Sequence, residues 1–121
     1  MGRFTGDILD RTFTFGVRIV KMGMALPRNQ AVMVLTRQVM AAGTSVGANL
    51  REANHAETRK SFVRHVEIAL KECCETIYWL EIIVGAGVVE RKRMESLIQE
   101  GREIEKILAT VVRKSKQRAK A

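Results

Sequence analysis

Four stretches of this chain repeat apolar residues at spacings of three and four, the interval that places side chains on one face of an α-helix. The first runs from about Asp7 to Met24, with Leu9, Phe13, Val17, Val20 and Met24 as its predicted buried face. Leu26-Pro27 ends it, because the residue before a proline is disfavoured in helical geometry. The second runs from about Asn29 to Ala53, with a seam of Val32, Leu35, Val39, Ala42, Val46, Leu50 and Ala53. Gly43 and Gly47 interrupt its good helix formers, each at a cost of up to about 1 kcal/mol relative to alanine. Close approach of another backbone offsets such a cost; a break in the helix near Gly43 is the alternative.

After the connection Asn54 to Glu57, a third segment runs from about Thr58 to Val84. Its seam is Phe62, Val66, Ala69, Cys73, Thr76, Leu80 and Ile83, and Ile68, Glu72, Trp79 and Ile82 form a neighbouring stripe. A helix this broadly apolar often meets a second surface, in its own chain or in a partner. Gly85-Ala86-Gly87 stops it. The fourth segment runs from about Glu90 to Val112 on Met94, Leu97, Gly101, Ile104, Leu108 and Val111. No alternating pattern competes for a strand. Four amphipathic helices with short connections predict an all-α, antiparallel up-down-up-down bundle over residues 1–112. Residues 113–121 carry no apolar side chain larger than alanine, and are expected to form a basic, disordered tail.

Size and charge sharpen this picture. The chain has 121 residues, one domain's worth of core. Its formal charge is +8, unevenly spread. Residues 1–66 hold ten Lys/Arg against four Asp/Glu, residues 67–112 hold six against nine, and residues 113–121 add five with no acid. Such an excess favours polyanionic partners such as RNA, DNA or an anionic membrane surface, with ordinary solubility charge as the other reading. The basic side chains form three groups: Arg11, Arg18, Lys21 and Arg28 along and just beyond the first helix; Arg59, Lys60 and Arg64 opening the third; and Arg113, Lys114, Lys116, Arg118 and Lys120 in the tail. Phosphate contacts need only mobile positive charge. No aromatic residues interleave them, so stacking on single-stranded bases is not indicated. No signal peptide and no membrane-length apolar run is visible, which predicts a cytoplasmic protein without a membrane role.

Other chemistry is thinly represented. Glu52-Ala53-Asn54-His55 has the Glu-x-x-His spacing of di-iron bundles, but such sites need a second copy of the motif, and Phe62 stands three residues before His65. No metal or cofactor is therefore expected. Cys73 lies on a seam, where a thiol behaves as a small hydrophobe rather than a nucleophile. A triad of Ser45, His65 and a glutamate lacks the strand-turn-helix elbow that would expose the serine. No catalytic residue is assigned. Ser45, Asn49 and Glu52 share one helical face, and Glu72 and Glu75 are placed to meet them from the third helix. A polar cavity for a ligand is one reading of that set. A structural hydrogen-bond network that fixes helix register is the favoured one.

The order of these features carries a likeness. A first helix ending in Leu26-Pro27 is followed by Thr44-Ser45-Val46-Gly47-Ala48-Asn49-Leu50-Arg51-Glu52-Ala53. Phe62 then opens a helix containing Ile68-Ala69-Leu70-Lys71-Glu72 and Glu75-Thr76-Ile77-Tyr78-Trp79-Leu80. From about Phe4 to Val112 the chain resembles the four helix bundle protein family, also called the 23S rRNA intervening-sequence protein family. The resemblance implies a left-handed bundle that assembles as a ring-like homopentamer. It also implies a bacterial protein, in some members encoded within insertions in large-subunit rRNA genes, and distantly related to the accessory proteins of diversity-generating retroelements. No enzymatic activity is established for that family. Cys73-Cys74 departs from its usual small or charged residues. The resulting expectation is a non-enzymatic homo-oligomer that binds nucleic acid electrostatically, with a protein-interaction scaffold as the alternative.

Overall fold

A computed structural model describes residue 4 and residues 6–120, the side chains of 119 and 120 excepted. Four helices account for almost all of it: α1 (Gly6–Met24), α2 (Gln30–Asn54), α3 (Arg59–Gly85) and α4 (Arg91–Lys120). No strand occurs among the described residues. Local chemistry sets the ends. Asn29 caps α2 by accepting the Val32 amide at 3.0 Å, and Thr58 caps α3 by accepting that of Ser61 at 3.0 Å. Beyond α3, Gly87 adopts a φ of +76°, the left-handed conformation that a side chain would strain.

Each helix packs on its neighbours in sequence, and α1 closes the arrangement against α4; among the described residues the backbones of α1 and α3, and of α2 and α4, do not approach each other. The core therefore lies between four rods in a square bundle. Cross-helix pairs run in opposite numerical order: Arg11 with Glu100 and Arg18 with Ser96 between α1 and α4, Arg91 with Glu81 and Lys116 with Glu67 between α4 and α3.

On α3 the buried residues are the seven of its seam, from Phe62 to Ile83. The α4 seam is buried from Met94 to Leu108, and Val111 is half-buried. In α2 the helix is continuous through Gly43, and Leu35 is only half-buried. The glycines serve close packing. A Cβ at Gly43 would lie 2.8 Å from the side chain of Ile19, and one at Gly47 would lie 3.4 Å from the backbone of Thr12.

Two expectations are corrected. On α1 the buried side is Ile8, Thr12, Phe15, Gly16, Ile19 and Gly23. Three of the five residues of the predicted face are left outside, Phe13 at 61% exposure, Val17 at 36% and Met24 at 71%, while Leu9 and Val20 are half-buried. Helix α1 carries two apolar stripes, and the one holding Gly16 and Gly23 turns inward because only it lets the backbones of α1 and α2 approach. The second correction concerns residues 113–120, which extend α4 as helix rather than forming a coil. Lys116 there pairs with Glu67 at 2.7 Å, and Ser115 is half-buried.

Candidate nucleic-acid interface

The basic residues do not share one surface. Arg11 reaches across to α4, donating from Nε and Nη2 to both carboxylate oxygens of Glu100 at 2.8 Å and to Glu103 at 3.1 Å. This bidentate grip holds the Glu100 carboxyl below its ordinary value and pushes the Arg11 value further up. Arg18 donates to the Ser96 hydroxyl at 2.9 Å. These two guanidiniums join α1 to α4 and are not mobile charges. Lys21 stands on the rim of an apolar groove between α1 and α2. Arg28 is exposed in the α1–α2 connection, separated from the α2–α3 connection by the 25 residues of α2, about 37 Å of helix.

The remaining groups converge. The first turns of α3 and the last turns of α4 meet at one end of the bundle. Arg59, Lys60, Arg64, Lys116 and Arg118 line a cavity of about 840 Å³, whose other walls are Val63 and Glu67. A smaller adjoining cavity of about 200 Å³ shares Arg59 and Arg118 and adds Lys114. Its apolar wall contains Phe4, Phe62 and Val111. Phe4 stacks on Phe62 with ring centroids 5.6 Å apart, and its amide donates to Asn54 Oδ1 at 2.8 Å. That packing ties the chain's beginning to the same end. Six cations thus surround two cavities with one carboxylate among them, and Glu67 already holds Lys116. The first turn of α3 contains no acidic residue, so its unpaired amides add to the positive potential. Arg113 is exposed on α4 but lines neither cavity. The side chain of Lys120 lies outside the described residues.

The polar stripe is not a cross-helix network. Ser45 donates to the Ala41 carbonyl at 2.7 Å and Asn49 to the Ser45 carbonyl at 2.8 Å, both within α2. Glu52 is exposed. Glu75 accepts from Trp79 Nε1 at 3.4 Å within α3, and Thr76 donates to the Glu72 carbonyl at 2.7 Å. Serine, threonine and asparagine on a helix find a carbonyl one turn back, so these side chains are satisfied without partners from another rod. Glu72, half-buried, is pushed above its usual carboxylate value by desolvation and by neighbouring Glu75, with Lys71 opposing.

The thiols are protonated at neutral pH. Burial pushes Cys73 up to about 12, and its Sγ donates to the Gly101 carbonyl at 3.2 Å. Desolvation and the Glu105 carboxylate push Cys74 up to about 11. Neither is an activated nucleophile. Among the described residues, no three His, Cys, Asp or Glu side chains are grouped to hold a metal ion, and no helix is long and apolar enough to cross a membrane.

Sequence reasoning missed the α1/α2 groove. Thr12, Phe13, Val17, Val20 and Met24 line one side of it, and Thr44, Gly47 and Ala48 the other. The signal was present: Gly16 and Gly23 on one helix and Gly43 and Gly47 on the next mark the sides that must touch.

The fold and its end cluster define a class: a helical bundle of four rods with a cationic end. Residues 6–110 match the 23S rRNA-intervening sequence protein family, and the chain belongs to that family. It is similar to a crystal structure of a protein of unknown function from the S23 ribosomal protein family of Bacteroides thetaiotaomicron. The two share 38% identity over 87% of this chain and 97% of that one, with a TM-score of 0.82. No curated protein matches.

Proposed function

We propose that this protein binds nucleic acid through backbone phosphates at its cationic end, without catalysis, as a subunit of a homo-oligomer. The observation that carries this reading is the convergence of Arg59, Lys60 and Arg64 with Lys114, Lys116 and Arg118, two groups fifty residues apart in sequence, around adjoining cavities. Glu67 apart, the basic side chains face no carboxylate across those cavities. The reading further takes the bundle as antiparallel up-down-up-down, supported by the opposed order of the cross-helix pairs, and places it in the cytoplasm. A left-handed twist and a ring of five follow from the family resemblance alone. Assembly would repeat the cationic end around an axis and add avidity.

The test is fluorescence anisotropy with duplex and single-stranded RNA and DNA across a salt series. Neutralising about five phosphates gives a log-log slope of roughly −4, so affinity should fall by on the order of a hundredfold between 50 and 200 mM salt. Replacing Arg59, Lys60 and Arg64 together by alanine should flatten that slope by about 2–3. No binding at low salt, or a slope that the triple variant leaves unchanged, refutes the reading. The exposed apolar groove then favours the second one, a scaffold that acts through protein contacts.

A further inference from the structure

The smaller of the two cavities at the cationic end differs from the larger in what lines it. Its volume is about 200 Å³, room for about half a dozen waters at about 30 Å³ each. Phe4, Phe62 and Val111 give it an apolar side, and Arg59, Lys114 and Arg118 give it three cations. No carboxylate lines it. An inorganic anion gains nothing from the aromatic side, and an apolar ligand gains nothing from the cations. The combination suits a flat, polarisable group joined to a phosphate.

The aromatic side is held in place before any ligand arrives. Phe4 lies on Phe62 with ring centroids 5.6 Å apart and planes 22° from parallel. Phe62 is buried and Phe4 half-buried, so Phe4 is the ring with surface left to offer. Asn54, fifty residues away at the end of α2, fixes the backbone of Phe4 on both sides. Its Oδ1 accepts from the Phe4 amide at 2.8 Å, and its Nδ2 donates to the Phe4 carbonyl at 3.1 Å. A surface organised in this way has little ordering left to do when it binds.

The cations join the two cavities. Arg59 and Arg118 line both, and the larger one adds Lys60, Arg64 and Lys116. A nucleic-acid strand has the same two-part construction, a run of phosphates with a flat base at each sugar. In a duplex each base is paired and stacked, and reaches a cavity only by flipping out at a cost in free energy. In a single strand the base is free to turn aside onto an aromatic ring.

We infer that the small cavity takes one unpaired base of a single-stranded segment, laid against Phe4, while the adjoining phosphates occupy the larger cavity and the rim that Arg59 and Arg118 share. The proposal rests on the phosphate-binding reading above and adds to it a preference for unpaired strand over duplex. Phe4 reaches this site from the chain's beginning by folding alone.

The experiment is fluorescence anisotropy at one salt concentration with a short single strand of DNA, an abasic strand of the same length and charge, and the corresponding duplex. The wild-type chain is expected to bind the base-bearing strand at least about fivefold more tightly than the abasic one, and more tightly than the duplex per phosphate. Phe4→Ala should abolish most of that difference and leave the abasic affinity and the salt slope unchanged. Phe4→Trp should keep the difference, and its added indole emission, measured against the wild-type background of Trp79, should be quenched by the base-bearing strand and not by the abasic one. That variant keeps the test standing if Phe4→Ala loosens the fold, which circular dichroism checks. A free mononucleotide should not displace the strand at micromolar concentration, because it lacks the run of phosphates; full displacement would make the ligand a nucleotide and overturn the strand. Equal affinity for base-bearing and abasic strands with a steep salt slope overturns this proposal and leaves phosphate binding intact. Tighter binding of the duplex, a base preference that survives Phe4→Ala, or no selective quenching at Phe4→Trp overturns it as well. Absence of binding to every probe at low salt removes both readings.

Discussion

Helices α1 and α3 make an instructive pair. Both are amphipathic, and both carry apolar residues on more than one stripe. In α3 the side that turns inward is the seam from Phe62 to Ile83 that its period predicts, and every seam position is buried. In α1 the bulkier row is outside, and the buried side contains Gly16, Gly23 and Thr12. The difference lies in how each helix meets its neighbour. Helix α3 packs by filling space with side chains, as where Ile77 lies against Gly101 of α4. Helix α1 packs on α2 by removing side chains, so that Gly16 sits against the Gly43 carbonyl and the Thr44 Cα. Burial follows fit between surfaces, and the most hydrophobic stripe is not always the one that fits. Leaving Phe13, Val17 and Met24 outside then creates the apolar groove between α1 and α2.

The largest test of this contrast separates two phenylalanines two residues apart. Phe15 is fully buried and Phe13 is exposed. Phe15→Ala should cost about 3–5 kcal/mol in urea unfolding. Phe13→Ala, measured at concentrations where the chain is monomeric, should change stability by no more than about 0.5 kcal/mol. Equal losses at the two sites would reverse the assignment of the buried face.

A smaller effect sharpens the role of the glycines. Valine at Gly43 would place its Cβ 2.8 Å from two carbons of the buried Ile19 side chain, so Gly43→Val should destabilise by about 1–3 kcal/mol. At Gly85, a Cβ would have no neighbour within 4 Å, and Gly85→Ala should stabilise by about 0.4–1 kcal/mol through helix propensity and chain entropy alone. Thermal unfolding of both variants distinguishes the packing glycine from the terminal one.

The smallest effect concerns the link from α1 to α4. The Arg11 guanidinium holds the Glu100 carboxyl below its ordinary value of 4.5. A carboxylate depressed on folding contributes stability above its unfolded value, and that contribution is lost as pH falls through the folded value. Between about pH 5 and about pH 3 the wild type should therefore lose about 1 kcal/mol more than Glu100→Gln does. Parallel pH profiles for the two proteins would show that the pair adds nothing to stability.

How much was legible differs from part to part. The α3 and α4 seams were read residue by residue, because one face of each is plainly apolar and the other charged. The α1 face was misread because period alone cannot choose between Leu9-Phe13-Val17 and Ile8-Phe15-Ile19; the choice depends on the surface that α2 presents. The stripe at Ser45 and Asn49 was read as a shared network because its spacing is correct, yet each side chain bonds within its own helix, which spacing does not reveal. The tail was read as coil for want of apolar residues, although its backbone simply continues a helix already nucleated and packed. Of the basic groups, those opening α3 and closing α4 come together, whereas Arg11 and Arg18 are spent on α4.

What the amino-acid order determined alone was local: where helices start and stop, through Asn29, Thr58, Pro27 and Gly87, and that each rod has an apolar side. Those features arise from contacts within a turn or two of the chain. The tertiary structure alone decided which side of α1 is inside, which cations are neutralised, and that two distant basic groups share one end. These depend on the separation and fit of surfaces far apart in sequence, and no local period encodes them.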